Sequence, residues 1–188
     1  MRIVGGSARG RAIKAPPGAR GLRPTSDRAR EAIFNILEHG VDGPGIDGAA
    51  VADVFAGTGA LGLEALSRGA ASAVFIDNDG AAIACCRKNA AAIGKWRNAV
   101  FLKLDAGNPP PPPLAAKAPC AYAFLDPPYE SGLLIPALTG LAAKGWIGPG
   151  SICVAETSAK EIFEPPRGFQ LLDERTYGAA KVSFLKKG

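Results

Sequence analysis

The chain has 188 residues, 47% of them hydrophobic and 21% charged, with a formal net charge of +5, four cysteines and one histidine. So much apolar content with so small a net charge excludes a chain disordered throughout, and the length suits one domain with at most a small appendage. No apolar run nears the roughly 18 residues of a membrane span, and Met1-Arg2-Ile3-Val4-Gly5-Gly6 lacks the apolar core of a secretory signal, so a soluble cytoplasmic protein is expected.

The chain opens on a basic arm. Residues 1–30 carry eight Lys and Arg side chains (Arg2, Arg9, Arg11, Lys14, Arg20, Arg23, Arg28, Arg30) against one acid, Asp27, while the remainder holds 14 basic and 16 acidic residues. Two readings fit. Such an arm binds a polyanion, since the planar fork of arginine suits phosphates and stacks on bases, or it serves as a solubilising tail. Two short alternating stretches around glycines, Arg2–Gly6 and Gly10–Lys14, suggest a small hairpin or extended ribbon. After Pro24, Ser26 or Asp27 caps a helix whose apolar residues Ala29, Ile33, Ile36 and Leu37 fall on one face, and Gly40 ends it. Residues 40–48, rich in Gly and Asp, read as a linker.

An alternation of strand and helix follows. Val51–Phe55, Ala73–Ile76, Val100–Leu104, Ala121–Leu125 and Ile152–Ala155 are short apolar runs, with helical stretches Ala60–Ser67, Gly80–Ala92 and Gly132–Ala143 between them. Short apolar strands need cover on both faces, so this rhythm predicts an α/β fold with a mostly parallel sheet. Pro109–Pro113 interrupts it as a stiff surface connector of polyproline II type. Phe169–Leu172, a turn near Gly178 and Val182–Leu185 predict an antiparallel hairpin on the sheet edge. Cys85 and Cys86 are adjacent, and Cys120 and Cys153 stand alone in apolar surroundings. No Cys-x-x-Cys spacing is present and one histidine cannot complete a usual zinc set, so no metal site is expected.

Three constellations fall at the C-terminal ends of predicted strands, where open α/β sheets bind ligands. Asp53-Val54-Phe55-Ala56-Gly57-Thr58-Gly59-Ala60-Leu61-Gly62 contains a glycine turn that lets a ligand approach backbone N–H groups, and its Gly57-x-Gly59-x-x-Gly62 spacing also fits the dinucleotide fingerprint. Asp77, 20 residues beyond Gly57, can accept both ribose hydroxyls of NAD or of S-adenosyl-L-methionine; Asp79 is its alternative, or a helix cap. Asp105, after the third strand, faces an adenine amine or caps a helix. The third is Asp126-Pro127-Pro128-Tyr129. Its prolines stiffen the loop and leave carbonyls free to accept, its carboxylate grips an exocyclic amine, and its tyrosine offers a stacking face.

The glycine loop with Asp126–Tyr129 resembles the amino-methyltransferases. With Arg2–Gly6, Arg23-Pro24-Thr25-Ser26-Asp27-Arg28-Ala29-Arg30-Glu31-Ala32-Ile33-Phe34-Asn35 and Phe55–Ala70, the chain resembles the RsmD family, bacterial enzymes that methylate the N2 amine of one guanine in 16S ribosomal RNA. The match runs from residue 2 to about Tyr129, and Tyr177-Gly178 with Val182–Leu185 resembles the family's final hairpin. Two departures stand out: Ala8 where the family often has a bulky residue, and the Pro109–Pro113 run, which reads as a local insertion.

The resemblance implies a class I methyltransferase fold, Rossmann-like, with a mostly parallel seven-stranded sheet, helices on both faces and an antiparallel C-terminal hairpin. Residues 1–47 would form a basic RNA-binding extension and 48–188 the methyltransferase domain. It implies S-adenosyl-L-methionine as cofactor, held by Asp53, Ala56, Gly57, Thr58, Gly59, Leu61, Asp77, Asn78, Asp105 and Ala106. Asp126, Pro127, Pro128 and Tyr129 would be the catalytic residues, and Arg9, Arg11, Arg23 and Arg28 would contact RNA. The expected partner is 16S ribosomal RNA within a small-subunit assembly intermediate, met by a monomer. Another RNA, DNA or a protein glutamine are alternative substrates for such a tetrapeptide, and an NAD-dependent oxidoreductase is the alternative for the glycine loop.

Overall fold

Each predicted strand and helix is present in the computed structural model, which describes residues 1–16 and 26–188. In chain order these are α1 (Asp27–His39), β1 (Ala50–Val54), α2 (Ala60–Ser67), β2 (Ser72–Asp77), α3 (Gly80–Ala92), β3 (Ala99–Lys103), β4 (Cys120–Leu125), α4 (Leu134–Ala143), β5 (Ile147–Ser158), β6 (Phe169–Tyr177) and β7 (Ala180–Lys187). The strands form one sheet in the order β3-β2-β1-β4-β5-β7-β6. β1 to β5 pair in parallel, and β7 runs antiparallel between β5 and β6. The chain winds outward from β1 to β3 and returns to β4 on the other side of β1. The C-terminal ends of β1 and β4 therefore flank a topological switch point, where such sheets open a crevice.

Alternation along the strands divides the core in two. Val51, Phe75, Tyr122 and Phe124 point into one cluster with α1, α2 and α3, whereas Ala52, Val54, Val74, Ile76, Ala123 and Leu125 point into the other with α4 and Trp146. Side chains of period two need both faces covered, which explains runs of apolar residues unbroken by polar ones. The start of the arm belongs to the first cluster: Ile3, Ala8 and Ile13 are buried there beside Ile33, Phe34 and Leu37 of α1. Its ends are paired as a ribbon, with Ile3 N–H donating to Arg11 O at 2.9 Å and Gly10 N–H to Ile3 O at 2.8 Å. Ser26 is the N-cap of α1, its hydroxyl accepting from Ala29 N–H at 3.1 Å.

Three boundaries differ from expectation. α4 begins at Leu134 because Gly132 adopts φ +69°, outside the helical region, and Pro136 falls in the first helical turn, where no N–H partner is needed. β5 runs over 12 residues, extending through Gly148, Pro149 and Gly150 with a register irregularity against β4. β6 continues past Leu172 through Asp173-Glu174-Arg175, because an edge strand exposes enough of each residue for charges to sit within it. Pro109–Pro113 links β3 to β4, though not as a bare surface strap. Pro109 is buried against Gly140, where a Cβ would come within 2.8 Å of Pro109 Cδ, and Pro110 O accepts from the Trp146 indole at 2.7 Å. All four cysteines are free and buried, and among the described residues no helix is long and apolar enough to cross a membrane.

Candidate active site at the strand ends

β1 delivers Asp53 and then turns through a backbone few residues tolerate. Phe55, Gly57 and Gly59 have φ of 61°, 53° and 77°. For Phe55 that left-handed geometry is strained, the kind of cost that clusters at ligand sites. Gly62 solves a different problem. A Cβ there would meet Phe75 Cε1 at 2.6 Å and Asp53 at 3.0 Å, so only glycine lets α2 settle on the sheet. Its N–H then donates to Asp53 Oδ2 at 2.8 Å. Ala56, Thr58 and Leu61 of the turn are buried.

Asp77 ends β2 and reaches across to the same turn, its Oδ2 accepting from Gly57 N–H and its Oδ1 from Asp79 N–H, each at 2.9 Å. Asp79 is the N-cap of α3, accepting from Ala81 N–H at 2.8 Å. Asn78 is exposed beside it. Asp105, past β3, is exposed and accepts from Gly107 N–H at 2.8 Å; Ala106 beneath it is buried.

Asp126 follows β4. Its N–H donates to Val54 O at 3.4 Å, so the acidic tetrapeptide and the glycine turn leave the sheet side by side. Pro127 is buried, whereas Pro128 and Tyr129 face out. The Tyr129 hydroxyl donates to Glu156 Oε1 at 2.9 Å. Glu156, only 5% exposed, sits near the end of β5, one residue beyond the Leu125–Ala155 pairing. Together with Pro127, Tyr129, Leu133 and Thr157 it lines a shallow cleft. Sequence reading missed Glu156. The signal was present, an acid directly after the apolar run Ile152–Ala155, and is the same signal that marked Asp77 and Asp126.

Three acids on three neighbouring strand ends, Asp53, Asp126 and Glu156, set the electrostatics. Burial, then the nearby Glu156 and Asp53 charges, push the Asp126 carboxyl well above its ordinary range. Burial pushes Asp53 up to about 7, opposed by the Gly62 hydrogen bond and reinforced by Asp77. A carboxyl raised on folding binds its proton more tightly in the native state, so its contribution to stability is complete below the unfolded value and is lost as pH rises through the folded one. For Asp53 the window runs from 3.8 to about 7, a loss on the order of 4 kcal/mol at 1.36 kcal/mol per unit. Denaturant melts from pH 4 to 8 are expected to show that decline in the ligand-free protein, and Asp53→Asn to lessen it, the raised Asp126 carboxyl remaining. A wild-type profile already flat across the window sinks this account.

The arm reaches the site from behind. Glu64 of α2 is fully buried and accepts from Val4 N–H at 2.9 Å and Gly5 N–H at 2.7 Å. Asn89 of α3 accepts from Lys14 N–H at 2.9 Å, and its amide donates both to Lys14 O at 2.8 Å and to Thr58 O in the glycine turn at 2.9 Å. Arg9, Arg11 and Arg28 are exposed. Arg23 lies outside the described residues.

Strand order 3-2-1-4-5-7-6 with its reversed penultimate strand, a glycine turn after β1, an acid after β2 and an Asp-Pro-Pro-Tyr loop after β4 define a class I, Rossmann-like methyltransferase fold. Comparison with known proteins narrows this. The family model described as "Conserved hypothetical protein 95" matches residues 1–186, and the chain belongs to this family, the RsmD family of ribosomal RNA methyltransferases. It is 40% identical over 180 residues to "Ribosomal RNA small subunit methyltransferase D" of Escherichia coli (strain K12), covering 95% of this chain and 85% of the relative. The protein of that name from Haemophilus influenzae is 32% identical, covering 95% and 89%. Among solved structures, yhhF of Escherichia coli superposes with a TM-score of 0.80 at 34% identity, covering 100% of this chain and 97% of that one. A Thermus thermophilus 16S rRNA N2 G1207 methyltransferase, solved with AdoMet and guanosine, shares the fold at a TM-score of 0.66 and 22% identity over 89% of this chain and 45% of its own.

Proposed function

We propose that this protein transfers a methyl group from S-adenosyl-L-methionine to the exocyclic N2 amine of one guanine in 16S ribosomal RNA. The coarser part, methyl transfer to small-subunit ribosomal RNA, follows the relatives named for that activity. The observation that carries the finer part is the junction of Asp126 with the glycine turn. An acceptor cluster leaves the sheet one hydrogen bond away from Val54, beside the place where a donor would lie.

The residues present fit the cofactor. Asp53 is an acid held in desolvated surroundings, which a cation would relieve, and S-adenosyl-L-methionine carries both a sulfonium and an ammonium. When bound it supplies an activated methyl group. The Gly57–Gly59 backbone would meet its methionine end, with Asp53, Ala56, Thr58 and Leu61 around it. Asp77 and Asn78 would hold the ribose, and Asp105 and Ala106 would face the adenine. The carboxylate of Asp77 accepts from two N–H groups already and has capacity for about two donors more.

What this chain's residues do is position and polarise an amine. The N2 lone pair of guanine is spread into the ring, which makes it a poor nucleophile. Asp126 and the Pro127 carbonyl, as fixed acceptors, favour a more tetrahedral nitrogen and stabilise the positive charge that develops on it. Tyr129 gives the base a stacking face, and Pro128 stiffens the loop. The base has to leave its stack, at a cost of a few kcal/mol. Arg9, Arg11, Arg23 and Arg28, on an extension formed by residues 1–47, offset that cost through phosphate contacts, and an assembly intermediate of the small subunit is the substrate of a monomeric enzyme.

Mass mapping of 16S ribosomal RNA from cells with and without the gene tests this. One N2-methylguanine is expected to vanish on deletion and to return with the wild-type gene. A missing methyl on any other atom, or in another RNA, overturns the guanine reading.

A further inference from the structure

The cleft beside Asp126 has a second acid. β4 and β5 run parallel with Leu125 opposite Ala155, which sets Asp126 and Glu156 at matching positions on neighbouring strands. Glu156 is 5% exposed and lines the cleft with Tyr129, whose hydroxyl donates to Glu156 Oε1 at 2.9 Å and fixes the carboxylate beside the stacking ring. A carboxylate has room for about four donors, of which the Tyr129 hydroxyl is one. Thr157, next on the strand, lines the same cleft, and its buried hydroxyl has no hydrogen-bond partner among the described residues.

Two acceptors placed side by side select for two adjacent donors. Guanine presents them, with N1–H next to the N2 amine. Adenine places its amine next to the N1 lone pair, cytosine next to the N3 lone pair, and a glutamine amide next to its own carbonyl oxygen. Each of those would turn an acceptor toward Glu156 and leave a buried carboxylate facing a lone pair, the situation in which a polar site rejects an analogue most strongly. We infer that Glu156 is the specificity residue of this site: it receives the N1–H of the target guanine while Asp126 receives the N2 amine. The inference rests on the guanine reading above and adds the group that excludes other amines. Tyr129 holds the acceptor in place as well as stacking on the base.

The test uses small subunits reconstituted with guanine or 2-aminopurine at the target position, assayed for methyl transfer by wild-type enzyme, Glu156→Gln and Glu156→Asp. 2-Aminopurine keeps the N2 amine but replaces N1–H with a lone pair. Wild-type enzyme is expected to prefer guanine at least 100-fold in kcat/KM. Glu156→Gln can turn its amide to donate to that lone pair, so the preference is expected to shrink at least tenfold. Glu156→Asp keeps the acceptor and is expected to retain the preference with a raised KM. Thermal melting and S-adenosyl-L-methionine binding by calorimetry check that each variant is folded. A preference for guanine unchanged in Glu156→Gln, or a wild-type enzyme indifferent to the replacement, overturns the inference while leaving N2 methylation intact. Transfer to an atom other than N2 by wild-type enzyme overturns the guanine reading and this inference with it.

Discussion

Asp126→Ala is expected to lower methyl transfer by about 10²–10³-fold, the cost of removing one preorganised group that stabilises developing charge, while S-adenosyl-L-methionine binds within a few-fold of wild type. The reason is positional. Asp126 sits at the switch point, joined to the glycine turn through Val54 O, yet that turn is held by other bonds, Gly57 to Asp77 and Gly62 to Asp53. Asp126→Asn keeps one acceptor and lands between the two. The wild-type rate is expected to climb with pH along a limb that Asp126→Asn lacks, because burial and the Glu156 and Asp53 charges hold the Asp126 carboxyl protonated at low pH. Single-turnover transfer and isothermal titration with the cofactor make the measurement. Loss of cofactor binding in proportion to loss of transfer would show that Asp126 belongs to the donor site instead.

Glu64→Ala is expected to destabilise the fold by about 3–5 kcal/mol, the range for removing one partner of a buried ion pair. The carboxylate is fully buried, at 2.9 Å from Arg68 Nε and 3.5 Å from the Arg30 Nε, and it accepts the two arm N–H groups of Val4 and Gly5. Its removal strands those donors and takes one acid from the fully buried Arg30 guanidinium, which also meets Asp27 at 2.8 Å and the Arg2 carbonyl. For a chain of this size the midpoint is expected to fall by on the order of 10 °C. Glu64→Gln, which retains an acceptor and the volume, is expected to lose less. A calorimetric shift under 2 °C for Glu64→Ala would mean that hydrophobic docking of Ile3, Ala8 and Ile13 holds the arm without the carboxylate.

That network bears on what the arm is. From charge alone, a phosphate-binding extension and a solubilising tail were equally compatible with the sequence. The first 14 residues share the core with α1 and the sheet, and Asn89 ties Lys14 to the Thr58 carbonyl of the glycine turn, so a loose tail does not describe them. Their packing is laid on apolar residues five apart, Ile3, Ala8 and Ile13, in a basic segment, too sparse a pattern to be read as buried. Only the partner surfaces of α2 and α3 reveal it.

The sheet was legible for a simple reason. Central strands of a doubly covered parallel sheet must be apolar on both faces, so Val51–Val54 and Ala121–Leu125 announce themselves without their neighbours. Acids at the ends of such runs, Asp53 in β1, Asp77 at the end of β2 and Asp126 after β4, stood out against them, and the Asp-Pro-Pro-Tyr sequence carried its own chemistry. The edge strand β6 was less visible, because it exposes enough surface to carry Asp173, Glu174 and Arg175 in regular structure.

Residue order by itself therefore determined the fold class, the strand-end acids and the tetrapeptide, each of which is written in contiguous residues. Tertiary structure decided what depends on residues far apart in the chain: that Glu156 stands beside Asp126, that Tyr129 binds it across 27 positions, and that Glu64 anchors an arm 60 residues away. Neighbourhood across strands is set by sheet order and register, and those follow from how helices cover the two faces, which no local pattern encodes.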